Sequence, residues 1–159
     1  MPLLDELSEV ERNMLTYFPA FEHESAPFTP LKKPLKDCRF AIVTTSGVHL
    51  RSDAPFLHKA PADSSYRLIP SATPTSEILQ SHSSIGFDRS AFYKDLNVTF
   101  PIDRVQQLAK DKVIKSVAAN HFSFNGAQRD PINIVETTAP EVAKLLAKDG
   151  VDCVLITPT

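Results

Sequence analysis

Residues 138–159 read TAPEVAKLLAKDGVDCVLITPT, and this stretch decides the fold class. Thr138 is followed three positions later by Glu141, with Pro140 between them, the pattern of a capping box with proline in the first helical turn. Val142, Leu145 and Leu146 give that helix an apolar face, and Gly150 supplies a C-terminal stop. Val151 to Ile156 (VDCVLI) is then a short apolar, β-rich run that reads as a buried strand. With a further strand expected at Val113 to Ala119, the order strand, helix, strand over Val113 to Ile156 is a βαβ unit, whose crossover should be right-handed.

Cys38 to Thr45 (CRFAIVTT) is the clearest strand elsewhere, and its unbroken apolar character suits a central strand of a parallel sheet covered on both faces. The expected fold is therefore α/β in three layers, a mostly parallel sheet flanked by helices. Further strands are expected at Tyr66 to Ile69 and Glu77 to His82, and a short β-rich run at Asn97 to Phe100 leads into a helix opened by Pro101, Ile102 and Asp103. Gly47 to Ala62, with His49, Arg51, Asp53 and His58, reads as loop, and so does Asn120 to Gly126. At the N-terminus Leu3, Leu7, Val10, Met14 and Phe18 recur at helical spacing up to Pro19. Pro19, Pro27, Pro30 and Pro34 then forbid regular structure, so an extended arm follows, with Phe18, Phe21 and Phe28 expected to tack it down. The chain thus divides into a helix and proline-rich arm over 1–36 and an α/β domain over 37–159.

Composition removes several functions. A net charge of −2 lacks the basic surplus of a general nucleic-acid binder. No apolar run approaches a membrane span and no signal-peptide layout is present, so the cytoplasm is the simplest compartment and no membrane partner is expected. Cys38 and Cys153 are isolated thiols without metal-site spacing and read as small core residues. Only four glycines occur, and no dinucleotide or phosphate loop is among them; a serine nucleophile elbow is also absent.

Three segments carry a family resemblance: SGVHL (Ser46 to Leu50), FDRSAFYKDLNVTFPIDRVQQLAKD (Phe87 to Asp111) and KDGVDCVLITPT (Lys148 to Thr159). They resemble the selenoprotein B family of glycine, sarcosine and betaine reductases, together with the D-proline reductase selenoprotein subunit, from about Phe40 to Thr159. The resemblance implies reductive cleavage of a C–N bond in a small amino acid or amine. It also implies a selenocysteine immediately after Thr159, so that the chain is expected to be the front part of a longer selenoprotein, inactive as it stands. Beyond that residue no cofactor is expected. A selenol is ionised at neutral pH where an ordinary thiol near 8.5 is not, which suits attack on a carbon beside a carboxylate. Other reductase subunits are implied as partners, and the bare sheet end and apolar N-terminal helix suggest a homo-oligomer.

In open α/β sheets ligands sit beyond the carboxyl ends of the strands. His49, His82 and His121, each expected at a strand end, are the candidate catalytic proton donors. Ser46, Gly47, Asn120, Thr157, Pro158 and Thr159 are the candidates for shaping the site or binding substrate. His23 and His58 read as surface residues, and Asp103 with Arg104 as helix-end charges. Two alternatives stay open: a non-catalytic binding or assembly protein on the same fold, and a hydrolase with a metal on the three histidines. Sequencing DNA past codon 159 separates truncation from the assembly alternative. A TGA followed by an open frame encoding a CxxC-like sequence is expected, and a different stop with no frame behind it removes truncation.

Overall fold

The computed structural model describes residues 4–17, 28–56, 63–82, 89–126, 128 and 130–159. In chain order the helices are α1 (Glu9–Tyr17), α2 (Arg89–Lys94), α3 (Ile102–Lys110) and α4 (Ala139–Lys148). The strands are β1 (Arg39–Thr44), β2 (Val48–Leu50), β3 (Tyr66–Pro70), β4 (Ile78–Gln80), β5 (Ser116–Val117), β6 (Asn120–Phe124) and β7 (Cys153–Thr157). The chain divides into two compact units, Met1–Pro30 and Leu31–Thr159.

In the first unit, Ser8 opens α1 with a capping box. Its hydroxyl donates to the Glu11 carboxylate at 2.7 Å, and that carboxylate also accepts the Ser8 amide at 2.9 Å. The N-terminal helix is therefore present over Glu9–Tyr17, with a 3-10 turn over Leu4–Glu6 before it. Phe28 is exposed, and Phe18, Phe21, His23 and half of the proline arm lie outside the described residues.

The second unit is built around β1. It runs parallel to β7 on one side and to β5 and β6 on the other, while β3 pairs antiparallel with the far edge of β6. Alternate residues of β1 face two separate cores. Phe40 and Ile42 point to a cluster with Ile102 and Val105 of α3, and Ala41 and Val43 to one with Val142 and Leu146 of α4. This is the expected α/β architecture, a mostly parallel sheet flanked by helices, with β1 as the doubly covered centre. Among the described residues no helix is long and apolar enough to cross a membrane.

Several local expectations are corrected. Val48–Leu50 is not loop but a strand, paired antiparallel with Ile78–Gln80 in a separate ribbon. Asn97 to Phe100 is not extended: Asp95 caps a 3-10 turn over Leu96–Val98 by accepting the Asn97 amide. The expected strand over Val113 to Ala119 shrinks to β5, and the polar run after it is itself strand β6. The Thr138 hydroxyl does not cap α4; a π-helical turn over Ile134–Thr138 leads straight into the helix, and that hydroxyl bonds the Ser64 carbonyl instead. Gly150 does end α4, at φ +67°. Finally, β7 pairs with β1 alone among the described strands, and Leu155 and Ile156 remain 39% and 65% exposed, so VDCVLI is a half-covered strand.

These burials predict opposite outcomes for two isoleucines. Ile42→Ala, at a fully buried position between α3 and the sheet, should cost about 3 kcal/mol in urea unfolding. Ile156→Ala should cost less than about 0.5 kcal/mol.

Candidate functional site

The carboxyl ends of β1, β6 and β7 and the end of β4 meet in one hydroxyl-rich cluster. β1 finishes at Thr44; Thr45 and Ser46 follow it, and Gly47 then turns the chain away at φ +67°. A side chain at Gly47 would be strained by that φ and crowded, since a Cβ there would lie 3.1 Å from the backbone of His82. The Ser81 amide donates to the Gly47 carbonyl and the Gly47 amide to the Phe124 carbonyl, each at 2.9 Å, so this turn joins the ribbon to the sheet.

The Thr44 hydroxyl is fully buried, with Ser46 Oγ at 2.9 Å and the carbonyls of Thr99 and Thr157 at 3.0 and 3.2 Å. The Thr157 hydroxyl also donates to the Thr99 carbonyl at 2.9 Å. The segment Asn97 to Asp103 therefore ties strand ends together. Its Thr99 carbonyl receives hydroxyls from β1 and β7, while the Asn97 side chain accepts the Asp103 amide and donates to the Asp103 carboxylate at the start of α3. Thr45 holds Thr159 directly: its hydroxyl accepts the Thr159 amide at 2.8 Å and donates to the Thr159 carbonyl at 3.3 Å.

Gly126 closes the cluster by close approach. A Cβ at this glycine would lie 2.5 Å from His82 Nε2, 2.6 Å from the Thr159 carbonyl oxygen and 3.0 Å from that of Thr45. The imidazole edge and the Thr159 carbonyl are thus neighbours across a glycine that leaves them room. His82 is buried, and its own carbonyl accepts a 2.6 Å hydrogen bond from the exposed Arg89 guanidinium.

Ser46, Gly47, His82, Thr157 and Thr159 are accordingly brought to one place, with Pro158 exposed between the last two. His49 lies in β2 opposite Leu79, where Nδ1–H donates to the Leu50 carbonyl at 2.8 Å. Asn120 and His121 follow β5 but open β6, and the register sets them beside the middle of β1 rather than at its carboxyl end. Asn120 there lines a cavity of about 310 Å³ with Leu68, Phe122, Leu145, Leu146, Lys148 and Asp149. Among the described residues no group of three histidine, cysteine or carboxylate side chains is placed to hold a metal, so the three-histidine hydrolase lacks its centre.

The environment of His121 gives it a structural task. Beside β1 the partner strand slips: β1 advances three residues from Phe40 to Val43 while its neighbour advances five, from Val117 to Phe122. This bulge leaves amides without ladder partners. His121 Nδ1 accepts the Ile42 amide at 3.0 Å, and an Asp149 carboxylate oxygen accepts that of Ala119 at 2.9 Å. With Nδ1 accepting, the neutral ring carries its proton on Nε2, which donates to Ser71 Oγ at 2.7 Å, and Ser71 donates onward to the Ala118 carbonyl. Burial pushes the imidazole down to about 4, against a smaller upward pull from Asp149.

Thr44, Thr45, Thr99, Asn125 and Gly126 are members of the cluster that sequence reasoning passed over; the signal was available in the Thr-Thr-Ser run at a strand end and in a glycine where glycines are scarce. Asn125 bridges to Ser46 across the strand ends.

The depressed His121 value fixes a pH dependence. The unfolded ring titrates near 6.5 and the folded one near 4, so its contribution is fully present above pH 6.5 and is lost as pH falls toward 4. Urea unfolding should register a loss of roughly 3 kcal/mol from this ring across that window, and His121→Asn should flatten that part of the slope.

Comparison with known proteins assigns the sequence to a family. Residues 3–159 match the family model of glycine/sarcosine/betaine reductase selenoprotein B. The chain is 39% identical over 130 residues to the D-proline reductase subunit gamma of Acetoanaerobium sticklandii, covering 82% of this chain and 52% of that one. It is 26% identical over 146 residues to the sarcosine reductase complex component B subunit beta of Peptoclostridium acidaminophilum, covering 91% of this chain and 33% of that one. It thus spans about half the length of the first relative and a third of the second. No solved structure matches it significantly. The chain belongs to the glycine/sarcosine/betaine reductase selenoprotein B family.

Proposed function

We propose that this chain contributes the strand-end wall of a selenocysteine-dependent reductase that cleaves a C–N bond in a small amino acid or amine, a class including glycine, sarcosine, betaine and D-proline. The selenocysteine would stand immediately after Thr159, and further reductase subunits would complete the enzyme. The observation that carries the reading is the meeting of the Thr159 carbonyl with His82 Nε2 at Gly126, beyond the carboxyl ends of the parallel strands.

The residues present fit such a group. A residue following Thr159 begins beside a buried imidazole, in a cluster whose side chains are hydroxyls and a histidine. When present, the group supplies a nucleophile already ionised at neutral pH. The chain's own residues do the rest. His82, whose Nε2 edge lies across Gly126 from the Thr159 carbonyl, is the side chain placed to pass a proton to a departing amine. Arg89, exposed and bonded to the His82 carbonyl, offers a guanidinium for a substrate carboxylate. Ser46, Thr44 and Thr157 keep the strand ends rigid under the reacting atoms.

The test is an assay of the full-length chain, with selenocysteine after Thr159, in the presence of its partner subunits and a dithiol reductant. Reductive amine release is expected from at least one of glycine, sarcosine, betaine and D-proline. His82→Gln should lower the rate by 10²- to 10⁴-fold with folding intact. A folded, selenium-containing complex that cleaves none of these substrates would overturn the assignment.

A further inference from the structure

We infer that Thr45 is the positioning residue of this site: one hydroxyl grips both backbone groups of Thr159 and so sets the direction in which the chain leaves β7 toward His82. The inference rests on the reading above, that the reacting group follows Thr159.

β7 follows β1 residue by residue up to Thr44 opposite Thr157, and the last backbone bond of the pair runs from the Thr45 amide to the Thr157 carbonyl at 3.2 Å. Beyond that point β1 is no longer available. Ser46 bridges to Asn125, and Gly47 turns toward the Ser81–His82 backbone. The amide and carbonyl of Thr159 would therefore have no strand to pair with. The Thr45 side chain takes the place of the missing strand, accepting the amide at 2.8 Å and donating to the carbonyl at 3.3 Å. Because both groups belong to one residue, one hydroxyl fixes both its amide position and its carbonyl direction.

That direction matters because of what lies at its end. The Thr159 carbonyl, the Thr45 carbonyl and His82 Nε2 all surround the point a Gly126 side chain would occupy. The next residue is bonded to the Thr159 carbonyl carbon, so its starting position relative to the imidazole is set by this grip. Threonine suits the task because β-branching restricts χ1 in a strand, which holds the hydroxyl in place before the chain end arrives. Thr44 cannot substitute, since its hydroxyl is directed at Ser46, Thr99 and Thr157.

Two measurements test the inference, each on Thr45→Val, which keeps the shape and loses the hydroxyl, and on Thr45→Ser, which keeps the hydroxyl. In the 159-residue chain, amide hydrogen exchange at Thr159 should be slowed in the parent and in Thr45→Ser, and at least tenfold faster in Thr45→Val. In the full-length chain carrying cysteine after Thr159, alkylation by iodoacetamide is followed against pH. The parent and Thr45→Ser should show an acid-shifted midpoint, and Thr45→Val should move it upward by about one unit, a tenfold loss of thiolate below the midpoint. Equal protection of Thr159 in all three chains, or superimposable alkylation profiles with the parent acid-shifted, would overturn the role of Thr45 alone. A parent whose cysteine titrates like a free thiol would instead remove the site reading, and the positioning role with it.

Discussion

A strand enclosed on both faces and both edges has no water to satisfy its backbone, so every amide of β1 must find a partner within the protein. The slip between β5 and β6 threatens that requirement in the middle of the sheet. It is met by two side chains, the His121 imidazole on the Ile42 amide and the Asp149 carboxylate on the Ala119 amide. Asp149 also ends α4 and pairs with Arg39 at 2.6 Å, so the same carboxylate fastens the helix, the first residue of β1 and the bulge. The partly buried pair is held by hydrogen bonds on both carboxylate oxygens, the condition under which such a pair is tolerated.

The bulge also sets the height of the candidate site. Above it the register places Ser123 beside Thr44, and two residues later Asn125 bridges to Ser46 and Gly126 meets His82 and Thr159. Had β6 kept the register of β5, different residues would face the end of β7. His121 therefore bears on the site from a distance, as the plug that lets β6 arrive in the right phase. The distinctive Asn97 to Asp103 segment acts at the same end. Its backbone carbonyl at Thr99 collects the hydroxyls of β1 and β7, and its asparagine caps the helix that packs beneath.

The cluster is built largely from threonine and serine hydroxyls. Such groups hold backbone at strand ends without bringing in fixed negative charge. Among the described residues the titratable ring at its centre is His82, which follows β4 of the separate ribbon and is brought in by the Gly47 turn, whose positive φ and tight packing favour glycine. Site geometry and the joining of the two sheets are thus a single structural event.

By itself the sequence determined which segments are apolar and with what period. That was enough for the central strand at Cys38 to Thr45, the helix after Pro140, the stop at Gly150, the α/β class and the family. It also placed Ser46, Gly47, His82, Thr157 and Thr159 at strand ends, because turn residues after β-rich runs are visible locally. Only the tertiary structure decided that Asn120 to Phe124 is a strand, that Val48–Leu50 pairs with Ile78–Gln80, and that β7 is half covered. Polar residues such as His121 and Ser123 enter a buried strand when partners from distant segments satisfy them, and those partners, Ile42 and Ser71 for His121, are far away in the chain. Likewise Thr45 and Gly126 carry no local mark of their contacts with Thr159, since register between strands is fixed by the packing of the whole sheet rather than by the residues of any one of them.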